Sequence, residues 1–329
     1  MMGFISLFCV ANVIQTTIAF VSVINVCTMK PATGGISLSR SLIFIHIAVF
    51  VWGFTGVLGR AITVDAVWLV QWRMLITTVS LWVLFGALGL LEKMPFKRVV
   101  LLAGIGAILA FHWVCFYGSI HLANVSIALT CLATSGFLSS LIEPLFMRSR
   151  VNISEVLLGV LALAGIAIIY RSNLSFGVGI WVGLMASLLT VLVSVFNKKY
   201  VTGFKPTTVT LVQLSGGWLV FTVCMPLLLW AMPTVHWWPS VAEWGYLFIL
   251  SWVCTIATFF LYIQALQKIS AFTANLTLTL EPVYGILLAF VIFKEYEQLN
   301  GYFFWGLGCI VLAVAIQLFI TIKGSIGSK

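Results

Sequence analysis

Residues 271–293 read Ala271-Phe272-Thr273-Ala274-Asn275-Leu276-Thr277-Leu278-Thr279-Leu280-Glu281-Pro282-Val283-Tyr284-Gly285-Ile286-Leu287-Leu288-Ala289-Phe290-Val291-Ile292-Phe293. As a helix this stretch is about 35 Å long, enough to cross a bilayer hydrocarbon core. Its only charged residue is Glu281, the eleventh position, so the carboxyl falls close to the bilayer centre. An ionisable group at that depth costs several kcal/mol unless it is paired, protonated or beside a cavity. Thr273, Thr277, Glu281 and Tyr284 follow helical spacing and predict one polar stripe facing a bundle interior or a water-filled path. Pro282 removes a backbone donor and predicts a local break there. Asn275 on the same segment joins these residues as a pathway candidate. Glu281 reads either as a solute or proton site or as a protonated carboxyl that hydrogen-bonds a neighbouring helix.

The rest of the chain repeats this pattern. Of 329 residues, 62% are hydrophobic and 8% charged. Soluble domains carry about 25% charged residues, so the missing polar surface faces lipid. Beyond Arg40, ten apolar segments are predicted: Ser41–Gly59, Val67–Leu91, Val99–Ile120, Val125–Met147 and Val156–Tyr170, then Gly177–Phe196, Thr207–Ala231, Glu243–Leu266, Ala271–Phe293 and Gly301–Ile322. The fold class is an all-α polytopic membrane protein.

The net charge of +9 sits in short clusters between the apolar runs, which points to membrane topology and away from nucleic acid. With the region of Lys30 and Arg40 placed in the cytoplasm, alternation gives that side 13 of the 17 Lys and Arg and the far side 3, with Arg73 inside a span. This bias supports the segment count and a cytoplasmic C-terminus. Residues 1–40 form an apolar extension. Within it, Gly3–Cys27 reads either as an eleventh helix or as the product of an upstream start codon, and it lacks the basic n-region of a secretory signal.

A shift of 145 residues aligns the two halves in hydropathy. Ser126–Thr130 falls on Ala271–Asn275, and Tyr117 falls on Tyr262. The predicted units are a first five-helix repeat over 41–171, a second over 172–322 and a cytoplasmic tail over 323–329. Five is odd, so the second repeat enters the membrane inverted. Such repeats place a solute site between them and supply two states for alternating access.

The residues Tyr262-x-x-Ala265, Glu281-Pro282-Val283-Tyr284-Gly285 and Phe293-Lys294-Glu295 resemble the repeat of EamA-type permeases of the drug/metabolite transporter superfamily. In that repeat a Pro is followed about 13 residues later by a loop Glu, as Pro282 is by Glu295. Trp52-Gly53, Arg73 and Tyr117 carry the resemblance in the first half. It departs there at Phe137, in the Pro position, and at Arg150, in the Glu position; Glu143-Pro144 comes later. The resemblance covers roughly residues 41–322. It implies a ten-helix inverted-repeat fold with both termini cytoplasmic, moving amino acids, nucleotide-related metabolites or drugs.

Other polar residues inside spans are the remaining site candidates. Arg73 reads as a binder of a carboxylate or phosphate, or as a snorkelling side chain or partner of Asp65. His112, Trp113 and Tyr117, with Tyr262, Thr258 and Thr255 as the matching face, suit an aromatic-lined pocket, although aromatics at such spacing also simply pack. Glu143 and His46 lie near the cytoplasmic boundary, and His236-Trp237-Trp238 reads as an interfacial belt. Ala128, Cys131, Ser135 and Ser139 form a small-residue packing face. The seven cysteines lie in apolar runs and form no Cys-x-x-Cys pair.

These features predict a secondary transporter of a small metabolite or drug-like solute in the cytoplasmic membrane, with proton coupling through Glu281 as a sub-hypothesis. The alternatives are a lipid or amphiphile flippase, or an intramembrane enzyme. No His-Glu-x-x-His, Gly-x-Ser-x-Gly or P-loop is present, so catalysis, a metal and ATP-driven transport are not expected. No cofactor is predicted. The expected partners are the solute and membrane lipid, with a homodimer as a compatible assembly.

Overall fold

The computed structural model describes residues 38–327, apart from 88, 90, 148–152, 173, 202–203, 232–234, 267–276 and 279. The N-terminal extension, Thr273 and Asn275 therefore lie outside the described residues. The described elements are helices, without a strand among them. In chain order they begin with α1 (Leu38–Ala61), α2 (Ala66–Ala87), α3 (Phe96–Leu122), α4 (Val125–Leu132), α5 (Ser135–Met147) and α6 (Ile153–Ser172). There follow α7 (Gly177–Tyr200), α8 (Pro206–Ala231), α9 (Val241–Ser251), a π-turn (Trp252–Ala257), α10 (Thr258–Leu266), α11 (Glu281–Phe293) and α12 (Gly301–Gly327).

Seven stretches are long and apolar enough to cross a membrane: Ser39–Ala61, Ala66–Gly86, Phe96–Leu122, Val125–Met147, Leu174–Asn197, Thr207–Ala231 and Val241–Tyr262. Three shorter apolar stretches are Val156–Arg171, Glu281–Phe293 and Gly301–Ile316. Among the described residues the predicted count of ten full spans is thus not reached. Of the ninth predicted segment, most of 271–280 lies outside the described residues, and Glu281–Phe293 is its one described helix of length, which is why it falls short.

The chain forms two compact units, and each draws on both predicted repeats. The first takes residues up to Ala107 and Phe204–Glu281; the second takes Ile108–Gly203 and residues from Pro282 onward.

In the first unit α2 packs along α8, α10 against α1, and α9 against both α1 and α2. The start of α3 meets α8 through glycines: a Cβ on Gly106 would overlap the Gln213 carbonyl, and one on Gly217 would lie 2.5 Å from the Gly106 carbonyl carbon. Small residues let backbones approach this closely where no solvent drives association. At the start of α9, Ser240 and Glu243 form a capping box, with Ser240 N donating to Glu243 Oε2 at 2.8 Å. The other oxygen, Oε1, accepts from Thr63 N at 2.6 Å and from Thr63 Oγ1 at 2.9 Å. One carboxylate therefore caps α9 and holds the α1–α2 loop. Asp65 Oδ2 accepts from Val235 N and His236 N, each at 2.8 Å. Above this loop Trp72 stacks with Trp68 and meets Trp238 and Trp244 edge-on, while Trp237 and Trp238 stay exposed.

In the second unit α6 crosses α12 at Gly165 and Gly306, where a Cβ on either would lie 2.5 Å from the other's carbonyl oxygen. Ile127, Ile166, Ile169, Ile180, Phe303 and Ile310 fill the core around this crossing. The fourth predicted segment is interrupted at Ala133–Thr134 between α4 and α5. Thr134 Oγ1 bonds the Cys131 carbonyl at 2.7 Å and meets Ser187 Oγ at 3.1 Å. A hydroxyl bonded to nearby backbone competes with the helix ladder. Cys131 faces Gly183 of α7, in keeping with the predicted small-residue face, and the Phe137 ring covers Gly159.

Candidate solute site

The first unit holds a cluster of polar side chains around the π-turn. A π-turn places one extra residue in a helix and is frequent at functional sites. Here Thr255 Oγ1 donates to the Leu250 carbonyl five residues back, at 2.8 Å. Three side chains from α1 and α2 grip the turn. Trp52 Nε1 donates to Thr258 Oγ1 at 2.7 Å and to the Cys254 carbonyl at 3.1 Å. Arg73 donates to Thr255 Oγ1 from Nε at 3.1 Å and from Nη2 at 2.8 Å. Ser80 Oγ accepts from Trp252 Nε1 at 2.9 Å. The Trp52 ring also lies against Tyr262 and Phe259.

Arg73 is 2% exposed, so protein covers it and it does not snorkel to an interface. Glu281 stands in its electrostatic field, as does Cys254. Glu281 is half-buried and opens α11, with Pro282 at the next position, where a missing N–H leaves no helix bond unmade. Leu280 lies in a turn, its N–H donating to the Thr277 carbonyl at 3.0 Å. Thr277 is buried, but this turn separates it from α11, so the predicted stripe is not one uninterrupted helix. One turn beyond Arg73, Thr77 is 0% exposed, and its hydroxyl has no hydrogen-bond partner among the described residues.

The second unit holds the other candidates. His112 Nδ1 lies 2.8 Å from the Ala186 carbonyl. A carbonyl only accepts, so Nδ1 carries a proton and donates it there. The ring stacks on Phe116, which meets Tyr117 edge-on. Trp113 and Tyr117 are buried, Pro282 is buried, and Tyr284 is half-buried.

Sequence reasoning brought Thr255, Thr258 and Tyr262 to one face. The structure divides them: Thr258 and Tyr262 meet Trp52, while Thr255 takes Arg73. The role of Glu295 was missed. It is 2% exposed, and its carboxylate accepts from Val125 N at 3.0 Å and from Ser126 N and Oγ at 2.8 and 2.6 Å. It caps the first turn of α4, where unpaired N–H groups favour an anion. The Pro282-to-Glu295 spacing was the available signal, but spacing does not name the helix that is capped. Among the described residues no three His, Cys, Asp or Glu side chains gather as a metal site.

No curated protein matches the chain. A solved crystal structure of a protein superposes with a TM-score of 0.59 at 18% identity, over 87% of this chain and 99% of that one. At that identity the likeness is one of fold. The EamA-like transporter family matches residues 39–171 and again residues 177–319. With most of its length covered by two successive matches to one family, the chain belongs to the EamA-like transporters, integral membrane proteins that move small solutes.

Proposed function

We propose that the chain is a secondary transporter that carries a small metabolite or drug-like solute across the cytoplasmic membrane by alternating access, with proton coupling through Glu281. The observation that carries this reading is the pair of family matches, one over each half. Each half contains five of the predicted apolar segments, so the second is inverted with respect to the first, and ten spans put the C-terminus in the cytoplasm. Two structurally equivalent, oppositely oriented repeats supply inward-open and outward-open states of similar energy.

Proton coupling draws on the placement of Glu281. Among the described residues, Arg73 of α2 is the cation whose charge acts on it. The remaining ionisable groups of that unit's helices are few. α8 carries no charged residue, only Cys224. α1 keeps Arg40, His46 and Arg60 toward its ends, and α3 opens on Lys97 and Arg98. Glu243 is bound at the first turn of α9, Tyr246 lies on the same helix, and Cys254 and Tyr262 follow in the π-turn and α10. A carboxyl with one counter-charge in a low-dielectric interior gains and loses a proton as that counter-charge is satisfied elsewhere.

Metabolite profiles inside and outside cells that overexpress the protein identify the solute. Reconstituted wild type then moves that solute down an imposed pH gradient, and Glu281→Gln does not. Identical profiles with and without overexpression would remove the transport reading. Unchanged pH-driven flux in Glu281→Gln would remove the coupling role alone.

A further inference from the structure

We propose that the first unit carries, where the α2–α3 loop meets the start of α8, a binding surface for an anionic phospholipid, with the headgroup on Lys93, Lys97 and Lys205 and an acyl chain along α3. Such a surface needs only that the chain lies in a bilayer, whatever solute it moves. Glu92 assembles it. The N–H of Glu92 donates to Thr208 Oγ1 at 3.1 Å, and its carboxylate accepts from Lys205 N. Thr208 is buried, so these two bonds pin the loop to the first turn of α8 from the inside. They bring the backbone of Lys93, the next residue in the loop, close to that of Lys205, although the two are far apart in sequence. Lys97 follows four positions later, in the first turn of α3. All three lysines are exposed. Glu92 is the sole acid between residues 66 and 142, and none occurs between 156 and 242. With that carboxylate turned to the backbone of α8, the three ammonium groups make a surface of one sign.

Depth and shape make the ligand a lipid. Phe96–Leu122 and Thr207–Ala231 are two of the stretches able to cross a membrane, and the lysines stand at the start of both. That is the level of phosphate headgroups, where each cation attracts an anionic lipid. The dipole of α3 adds positive potential at Lys97. From that end Phe96, Val100 and Gly104 run along one face of α3 at four-residue spacing. All three are exposed, Phe96 at 79% and Val100 at 54%. A Cβ on Gly104 would meet nothing within 4 Å, so this face has a notch about 12 Å along the helix from Phe96. A ring at headgroup level, an aliphatic step and a notch make a track for one acyl chain, and the track leads away from the lysines. A soluble anion would use the cations and leave the track empty. A zwitterionic lipid would use the track and bring no net charge to the cations. A lipid of the phosphatidylglycerol type satisfies both.

The test uses the full chain in detergent, titrated with phosphatidylglycerol, phosphatidylcholine or inorganic phosphate, with native mass spectrometry counting what is bound. Wild type should hold phosphatidylglycerol in preference to phosphatidylcholine, and added salt should erase the preference. Lys93→Gln, Lys97→Gln and Lys205→Gln should each weaken phosphatidylglycerol binding about fivefold, and the triple variant should bind both lipids alike. The single variants are read first, so the test does not hang on recovery of the triple. Lys93→Arg/Lys97→Arg/Lys205→Arg keeps the charges and should keep the preference. Arg60→Gln/Arg171→Gln/Lys294→Gln removes as much charge elsewhere and should change nothing. Gly104→Leu fills the notch and should weaken both lipids by the same factor. Melting temperatures without lipid should match wild type in the lysine variants. Equal affinity of wild type for the two lipids, or an unaltered preference in the Gln variants, overturns the lipid surface. An equal loss in the Arg60/Arg171/Lys294 variant also overturns it, because net charge alone would then set the affinity. Inorganic phosphate bound as tightly as phosphatidylglycerol overturns the lipid in favour of a plain anion site. Unchanged lipid binding in Gly104→Leu overturns the acyl track.

Discussion

Glu295 holds Ser126 twice, through its N–H at 2.8 Å and its hydroxyl at 2.6 Å, across 169 positions of sequence. Val125 N adds a third bond at 3.0 Å. Removing the carboxylate orphans two backbone donors at a buried helix start, each worth about 1–3 kcal/mol. Glu295→Ala should destabilise the protein by about 3 kcal/mol, and Glu295→Gln by less, since the amide oxygen still accepts. Thermal unfolding in detergent should rank wild type above Gln above Ala. Equal melting temperatures would mean that the clasp contributes nothing.

The same device in the other unit joins Glu243 to Thr63. Thr63→Val removes the hydroxyl bond at 2.9 Å and retains the N–H bond at 2.6 Å. It should cost about 1 kcal/mol. Glu243→Ala should cost more, because it also opens the capping box, and it should raise the labelling rate of a cysteine placed at Val64. A labelling rate that does not move would show that the loop is held by other contacts.

Glycine at the helix crossings should be intolerant of the smallest enlargement. Gly106→Ala and Gly306→Ala each push a methyl into the facing helix backbone, and overpacking of this kind costs about 1–3 kcal/mol or more. Gly245→Ala and Gly308→Ala meet nothing within 4 Å and serve as controls, with stability equal or slightly raised by helix propensity. Expression and melting temperature of the four variants should fall into two groups of two.

Lys294 ends α11 in the left-handed region at φ 52°, the sole described non-glycine residue there. That conformation costs an L-residue about 1–2 kcal/mol. Lys294→Gly should leave stability unchanged or raise it, measured by unfolding in detergent. A fall of more than 1 °C would show that the side chain, and not the backbone, matters at this turn.

The spans were legible because a bilayer leaves a strong compositional imprint: long apolar runs, with most charges pushed into loops. Arg73 and Glu281 were legible for the same reason, as isolated charges where none is cheap. What escaped was relational. Glu295 looks like an ordinary loop acid until Val125 and Ser126 are brought to it. The interruption at Ala133–Thr134 carries no proline; a hydroxyl bonding backward to Cys131 marks it, and such bonds leave no distinctive word in a sequence. The break predicted at Pro282 lies just ahead of it, at Leu280, because a proline suits the opening of a helix better than its middle.

The π-turn has a consequence for the phase of the whole segment. One inserted residue turns everything downstream by about 100° relative to a regular helix. Side chains before Trp252 and after Ala257 are therefore dialled to different azimuths, and Phe259 and Tyr262 meet the Trp52 ring downstream of that offset. Excising a single residue between Val253 and Ala257 would swing both rings aside while leaving hydropathy, length and charge almost untouched. The compass bearing of this helix is written in its count of residues, not in its composition.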